Sequence, residues 1–214
     1  MYDKLQQLLA HRNPRFVCRV AGARKGGPDK HIAHIDHVIT PPVDADTLAG
    51  MRSQLGELPE LFAFYERYGS LRLYRDSVDS PGIGCASAFY IAPPEAWAEL
   101  RSDVGDWFSQ LDEDEAAEFL PDWVSDCVAI GEVPNSGNYF LVPMVGEERG
   151  KVFEFEHDGF EFIERGASFE DFVEKLADVN EELLRDIGGH TRYDDGVTDY
   201  QWMPSAYLHD GKSG

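Results

Sequence analysis

The chain has 214 residues, 43% of them hydrophobic, and its 19 Lys and Arg stand against 40 Asp and Glu for a net charge of −21. That apolar share excludes a disordered chain, and the length fits one large domain or one domain with terminal additions. The charge repels phosphate backbones and argues against nucleic acid as a partner; the same field would attract a basic protein, although acidic surfaces also simply keep proteins soluble.

Residues 2–10 read as a short helix with Leu5, Leu8 and Leu9 on one side. In "RFVCRVAG", Phe16, Cys18 and Val20 alternate with Arg15, Val17 and Arg19, which is a strand pattern. "HIAHIDHVIT" reads as a second strand ended by Pro41-Pro42, and the pair can form a hairpin. Two helices follow between Asp44 and Gly69. Asp44 or Asp46 caps the first, Leu48, Met51 and Leu55 face inward, and Gly56 ends it. The second opens with Pro59 in its first turn, where the missing N–H costs nothing. It sets Leu61, Phe64, Tyr65 and Tyr68 on one face, with Gly69 as a left-handed stop.

"LRLY" and "CASAFYIA" are short strand candidates. A helix opened by Pro93-Pro94 is expected through Leu111, with Trp97, Leu100, Val104, Trp107, Phe108 and Leu111 inward and a bend or close packing at Gly105. "DEDEAAEFL" is the next helix, capped by Asp112 with Glu115 completing a capping box, and Pro121 ends it. "DCVAIGEV" and "NYFLVPMV" flank the turn "PNSG" as two strands. In "GKVFEFEHDGFEFI" a two-residue turn at Asp158-Gly159 would pair His157 with Phe160 and Phe155 with Phe162. Phe153, Phe155, Phe160 and Phe162 then share a face that can cover a helix, and Glu156 opposes Glu161 on the other. Ser168 caps the last helix, whose stripe runs from Phe169, Phe172, Val173 and Leu176 on to Leu183, Leu184 and Ile187, with Gly188-Gly189 as its stop. The tail, with Tyr193, Tyr200, Trp202 and Tyr207, reads as an irregular extension that frays after Asp210.

Signals for chemistry are sparse. His31, His34, Asp36 and His37 in "HIAHIDH" have the side chains of a metal site. On a strand, however, His31 and His37 share a face about 20 Å apart, and His34 points the other way with Asp36. Cys18, Cys85 and Cys127 lie far apart with no C-x-x-C, as in buried, reduced thiols, and none has a flanking catalytic signature. "GIGCAS" has neither phosphate-loop nor dinucleotide spacing. No cofactor is signalled. The run Asp112, Glu113, Asp114, Glu115 and Glu118 is either a solvated helix face or an acidic recognition patch. The N-terminus has no secretory pattern and no apolar stretch reaches membrane-spanning length, so a soluble, cytoplasmic protein without membrane partners is expected.

The order of these elements resembles the SUKH superfamily, in its Smi/Knr-like branch. "LGELPELFAFYERYGSLRL" is similar to that family's leucine-proline helix, and "AIGEVPNSGNYFLV" to its glycine-centred strand pair. "GKVFEFEHDGFEFI" is similar to its glycine-lysine-valine strand and acidic turn, and "ASFEDFVEKL" to its serine-phenylalanine helix. The chain departs from the pattern at Tyr68-Gly69-Ser70, where Asn-Gly is usual, and in the long insert from Pro93 to Pro121. The resemblance implies an α+β fold, a mostly antiparallel twisted sheet backed by helices, within a single domain over 1–214. Its core would span 44–180, with a helix and hairpin added at 1–43 and a C-terminal extension at 188–214. It also implies a binding module rather than an enzyme: an immunity-type protein that neutralises a toxin, such as a basic nuclease, or an intracellular regulatory scaffold. A metal protein or enzyme using His31, His34 or Asp36 is the remaining alternative.

Overall fold

The computed structural model describes residues 1–10, 15–21, 30–76, 87–178 and 199–204, with side chains for 1–10, 36–75 and 87–178. Among these residues the architecture is α+β, with an open antiparallel sheet and six α-helices. Nine strands hydrogen-bond in the order β8-β7-β6-β5-β4-β3-β2-β1-β9. They are β1 (Arg15–Ala21), β2 (Lys30–Ile39), β3 (Leu71–Asp76), β4 (Phe89–Ile91), β5 (Cys127–Val133), β6 (Asn138–Pro143), β7 (Val152–Glu156), β8 (Glu161–Gly166) and β9 (Asp199–Pro204). The helices are α1 (Asp3–Ala10), α2 (Ala45–Leu55), α3 (Pro59–Tyr65), α4 (Trp97–Phe108), α5 (Glu113–Phe119) and α6 (Phe169–Ala177).

Helices cover both faces of the sheet. Phe140 pairs across the strands with Glu154, so it and Phe155 project to opposite sides. The Phe140 ring meets Phe172 of α6 at 4.9 Å, and the Phe155 ring meets Phe108 of α4 at 5.1 Å. All residues of β6 are therefore buried, not every second one. On the α6 side the core continues through an aromatic stack. Phe64 lies edge-on to Phe169 at 5.3 Å, Tyr2 closes on Phe64 at 5.7 Å, and α1 packs against α6. Tyr65 is fully buried and donates its hydroxyl to the Ala92 carbonyl at 2.6 Å, so its polar end has a partner.

The caps follow the local sequence. Asp44 accepts from Asp46 N and Thr47 N at the start of α2, and Gly56 ends that helix at φ 68°. Asp112 and Glu115 form the reciprocal capping box of α5, and Ser168 caps α6 through Asp171 N. Leu61, Phe64, Tyr65 and Tyr68 are buried together as expected, and so is Phe62.

Several expectations are corrected. Gly69 is not a left-handed stop: α3 ends at Tyr65, and a Cβ at Gly69 would meet the Pro41 carbonyl oxygen at 2.2 Å, so the absent side chain makes room for backbone. Gly105 does not pack closely, since a Cβ there meets only Arg101 Nη1 at 3.8 Å. Leu111 lies past the end of α4. The β7–β8 register keeps Phe155 opposite Phe162 and Glu156 opposite Glu161, but the turn is wider than two residues. Residues 157–160 form the loop and the positive φ falls on Phe160 at 52°, not on Asp158 and Gly159. The Glu156 carboxylate turns into this loop and accepts from Asp158 N and Gly159 N, which relieves the like-charge opposition. The tail is not wholly irregular, because β9 pairs with β1. Leu183, Leu184, Ile187, the Gly188-Gly189 stop and the fraying after Asp210 lie outside the described residues, as does Cys85.

Candidate functional site

The acidic run occupies α5, which stands apart from the core. None of its residues is buried, and Asp112, Glu113, Asp114, Glu115 and Glu118 are all exposed. Two of the five serve the helix itself: Asp112 accepts from Glu115 N at 2.9 Å, and Glu115 accepts from Asp112 N at 3.0 Å. Glu113, Asp114 and Glu118 are outside that cap. Phe119, at the end of the helix, is 44% exposed.

The histidine stretch divides between described and undescribed side chains. His31 and His34 lie on β2, paired with Cys18 and Arg15, and their side chains are outside the described residues. Asp36 is exposed, and its Oδ1 accepts from His37 N at 2.8 Å. His37 turns inward at the irregularity where β2 meets β3. Its Nδ1 accepts from Tyr74 N at 3.2 Å, while its buried Nε2 has no hydrogen-bond partner among the described residues. Burial pushes the imidazole down to about 4, against a smaller opposing pull from Asp36.

Cys127 lies at the base of an open cleft of about 740 Å³ between α2 and α4, whose lining includes Met51, Leu55, Trp97, Arg101 and Ala129. The Cys127 Sγ donates to the Val124 carbonyl at 3.1 Å, and burial pushes the thiol up to about 11, with Arg101 pulling weakly the other way. A thiol in that state is a small core side chain and not a nucleophile at neutral pH.

A polar network that sequence reasoning missed crosses β6, β7 and β8. Glu154 is 1% exposed, yet it lies on the α6 face beside Phe140. Arg165 Nε donates to Glu154 Oε2 at 2.7 Å, and Asn138 Nδ2 donates to Glu154 Oε1 at 2.8 Å. His157 Nδ1 stands 3.0 Å from Asn138 Oδ1, and its Nε2 stands 3.0 Å from Asp158 Oδ1. The imidazole rests on the Trp107 ring at 4.6 Å. Each buried oxygen of Glu154 thus has a donor, which a buried charge requires. The available signal was "VFEFE": a carboxylate between two phenylalanines in a strand buried on both faces.

No family model matches this chain, and neither a curated protein nor a solved structure matches it.

Proposed function

We propose that this chain is a non-enzymatic protein-binding module of the immunity type, which neutralises a basic toxin, for example a nuclease, by binding it. Helix α5 carries the reading: with its N-cap it presents five exposed carboxylates and an exposed Phe119, and none of its residues is buried. A helix that buries no residue is free to vary for recognition, and an exposed aromatic beside charged side chains suits a protein interface. The net charge of −21 supports a basic partner by steering its approach. The resemblance to the SUKH superfamily and the inert Cys127 thiol support binding over catalysis. The setting is that of a soluble, cytoplasmic protein.

The test begins with capture of a partner from native lysate at low salt. Reversing Glu113, Asp114 and Glu118 to Lys, with the capping pair Asp112 and Glu115 intact, should then slow association with that partner about tenfold or more at low salt. The effect should shrink as salt is added. An unchanged on-rate would remove α5 from the interface. A regulatory scaffold on the same fold is the second reading, and a large toxin-like reading frame beside the gene would favour immunity over it. The metal reading through His31, His34 and Asp36 would be favoured by stoichiometric zinc or iron that is lost in His34→Ala.

A further inference from the structure

We propose that Glu156, His157 and Asp158, where β7 turns into β8, bind a divalent first-row transition ion, zinc foremost. Glu154 accepts from Arg165 on one oxygen and from Asn138 on the other. A carboxylate can only accept there, so the amide nitrogen of Asn138 faces Glu154 and its Oδ1 faces outward. That oxygen lies 3.0 Å from His157 Nδ1, so the hydrogen sits on Nδ1. Nε2 is left as the coordinating atom. A metal-ligating histidine has this arrangement: its other nitrogen donates to a fixed acceptor, which sets tautomer and ring orientation.

The ring is also held sterically. Trp107 covers one side at 4.6 Å, and Gly137 approaches so closely that a Cβ there would come within 3.1 Å of Nδ1. Nε2 is thereby held 3.0 Å from Asp158 Oδ1. Glu156 supplies a third donor, since ligand atoms of the three residues all lie within 4.8 Å of one another. Bonds of about 2.0–2.2 Å to nitrogen and oxygen require the Glu156 carboxylate to swing toward the imidazole from the loop amides it accepts from. One imidazole with two carboxylates favours zinc, nickel or cobalt over the all-oxygen preference of calcium and magnesium. The Asp158 side chain is 83% exposed, so the site opens to solvent, with room for water or a donor from a partner to complete the coordination.

The test is titration of the untagged full chain with zinc at neutral pH, read by calorimetry and by the imidazole nitrogen resonances of His157. The expected result is one equivalent bound with micromolar affinity and a shift of the His157 Nε2 resonance. Asp158→Asn, in the exposed loop, and Glu156→Gln, at the end of β7, should each weaken binding by about tenfold or more. Two outcomes overturn the proposal. Zinc that binds without moving the His157 resonance, or equally well to both variants, is held by scattered carboxylates. No binding at all leaves the three side chains as contacts of the loop and nothing more. The resonance is read on the unaltered chain, so the decision does not depend on a variant folding.

Discussion

His37 is packed edge-on to Tyr74 at 5.0 Å, with a ring nitrogen that finds no partner among the described residues. Its imidazole, ordinarily near 6.5, is lowered by burial to about 4. The unfolded chain therefore takes up this proton near pH 6.5, and the folded chain holds it off until about pH 4. The unfolded state binds more protons in that window, so stability falls as pH drops through it and is unaffected by this group above it. The loss should reach at most about 3 kcal/mol by pH 4. Urea unfolding from pH 7 to 4 should show a shallower decline in His37→Asn than in the parent chain, and parallel declines would remove His37 as a cause. Gly69 shows another single-residue effect that composition hides. Its want of a side chain serves the Pro41 backbone beside it and not a helix end.

Helices α5 and α6 both begin with a side-chain cap but are held by different forces. α6 buries Phe169, Phe172, Val173, Leu176 and Ala177, whereas α5 buries none of its residues. Loss of either cap costs its helix about 1 kcal/mol. In α6 that cost falls on the whole fold, because the helix cannot leave without exposing the core. In α5 it can be met by local fraying. Ser168→Ala should thus lower the global unfolding free energy by about 1 kcal/mol. Asp112→Ala should leave it nearly unchanged while amide exchange across 113–119 accelerates. Equal global losses would mean that α5 is coupled to the core. The β7–β8 hairpin teaches a related lesson. Centring the hairpin on Asp158-Gly159 gave the right pairing of Phe155 with Phe162, but the loop takes four residues and follows the Glu156 carboxylate, which gathers two loop amides.

Across the whole molecule the charge of −21 opposes compaction. Several of its ion pairs are exposed, such as Lys4 with Asp178 and Lys175 with Asp171, and pairs of this kind add little. Screening should then help more than it harms. Raising sodium chloride from about 10 mM to about 1 M shortens the Debye length from about 30 Å to about 3 Å. Calorimetry should show Tm rising by about 2–4 °C for each kcal/mol of repulsion relieved. A falling Tm would mean that the ion pairs outweigh the repulsion.

Local sequence by itself determined the helix starts, the strand segments, the Phe155–Phe162 register and the exposed acidic helix. Each depends on residues a few positions apart: a cap and its N–H, an alternation, a run of carboxylates. Tertiary structure alone decided that β6 is covered on both faces, that residues 199–204 close on β1, and that Asn138, Glu154, His157 and Arg165 meet. Those outcomes depend on which strands lie side by side. The network in particular joins residues on three strands, and no spacing along the chain announces that a buried carboxylate has found its donors. The candidate metal site divides in the same way. Its three ligands are neighbours in the sequence, but what aims the imidazole is a second layer assembled only when the sheet forms.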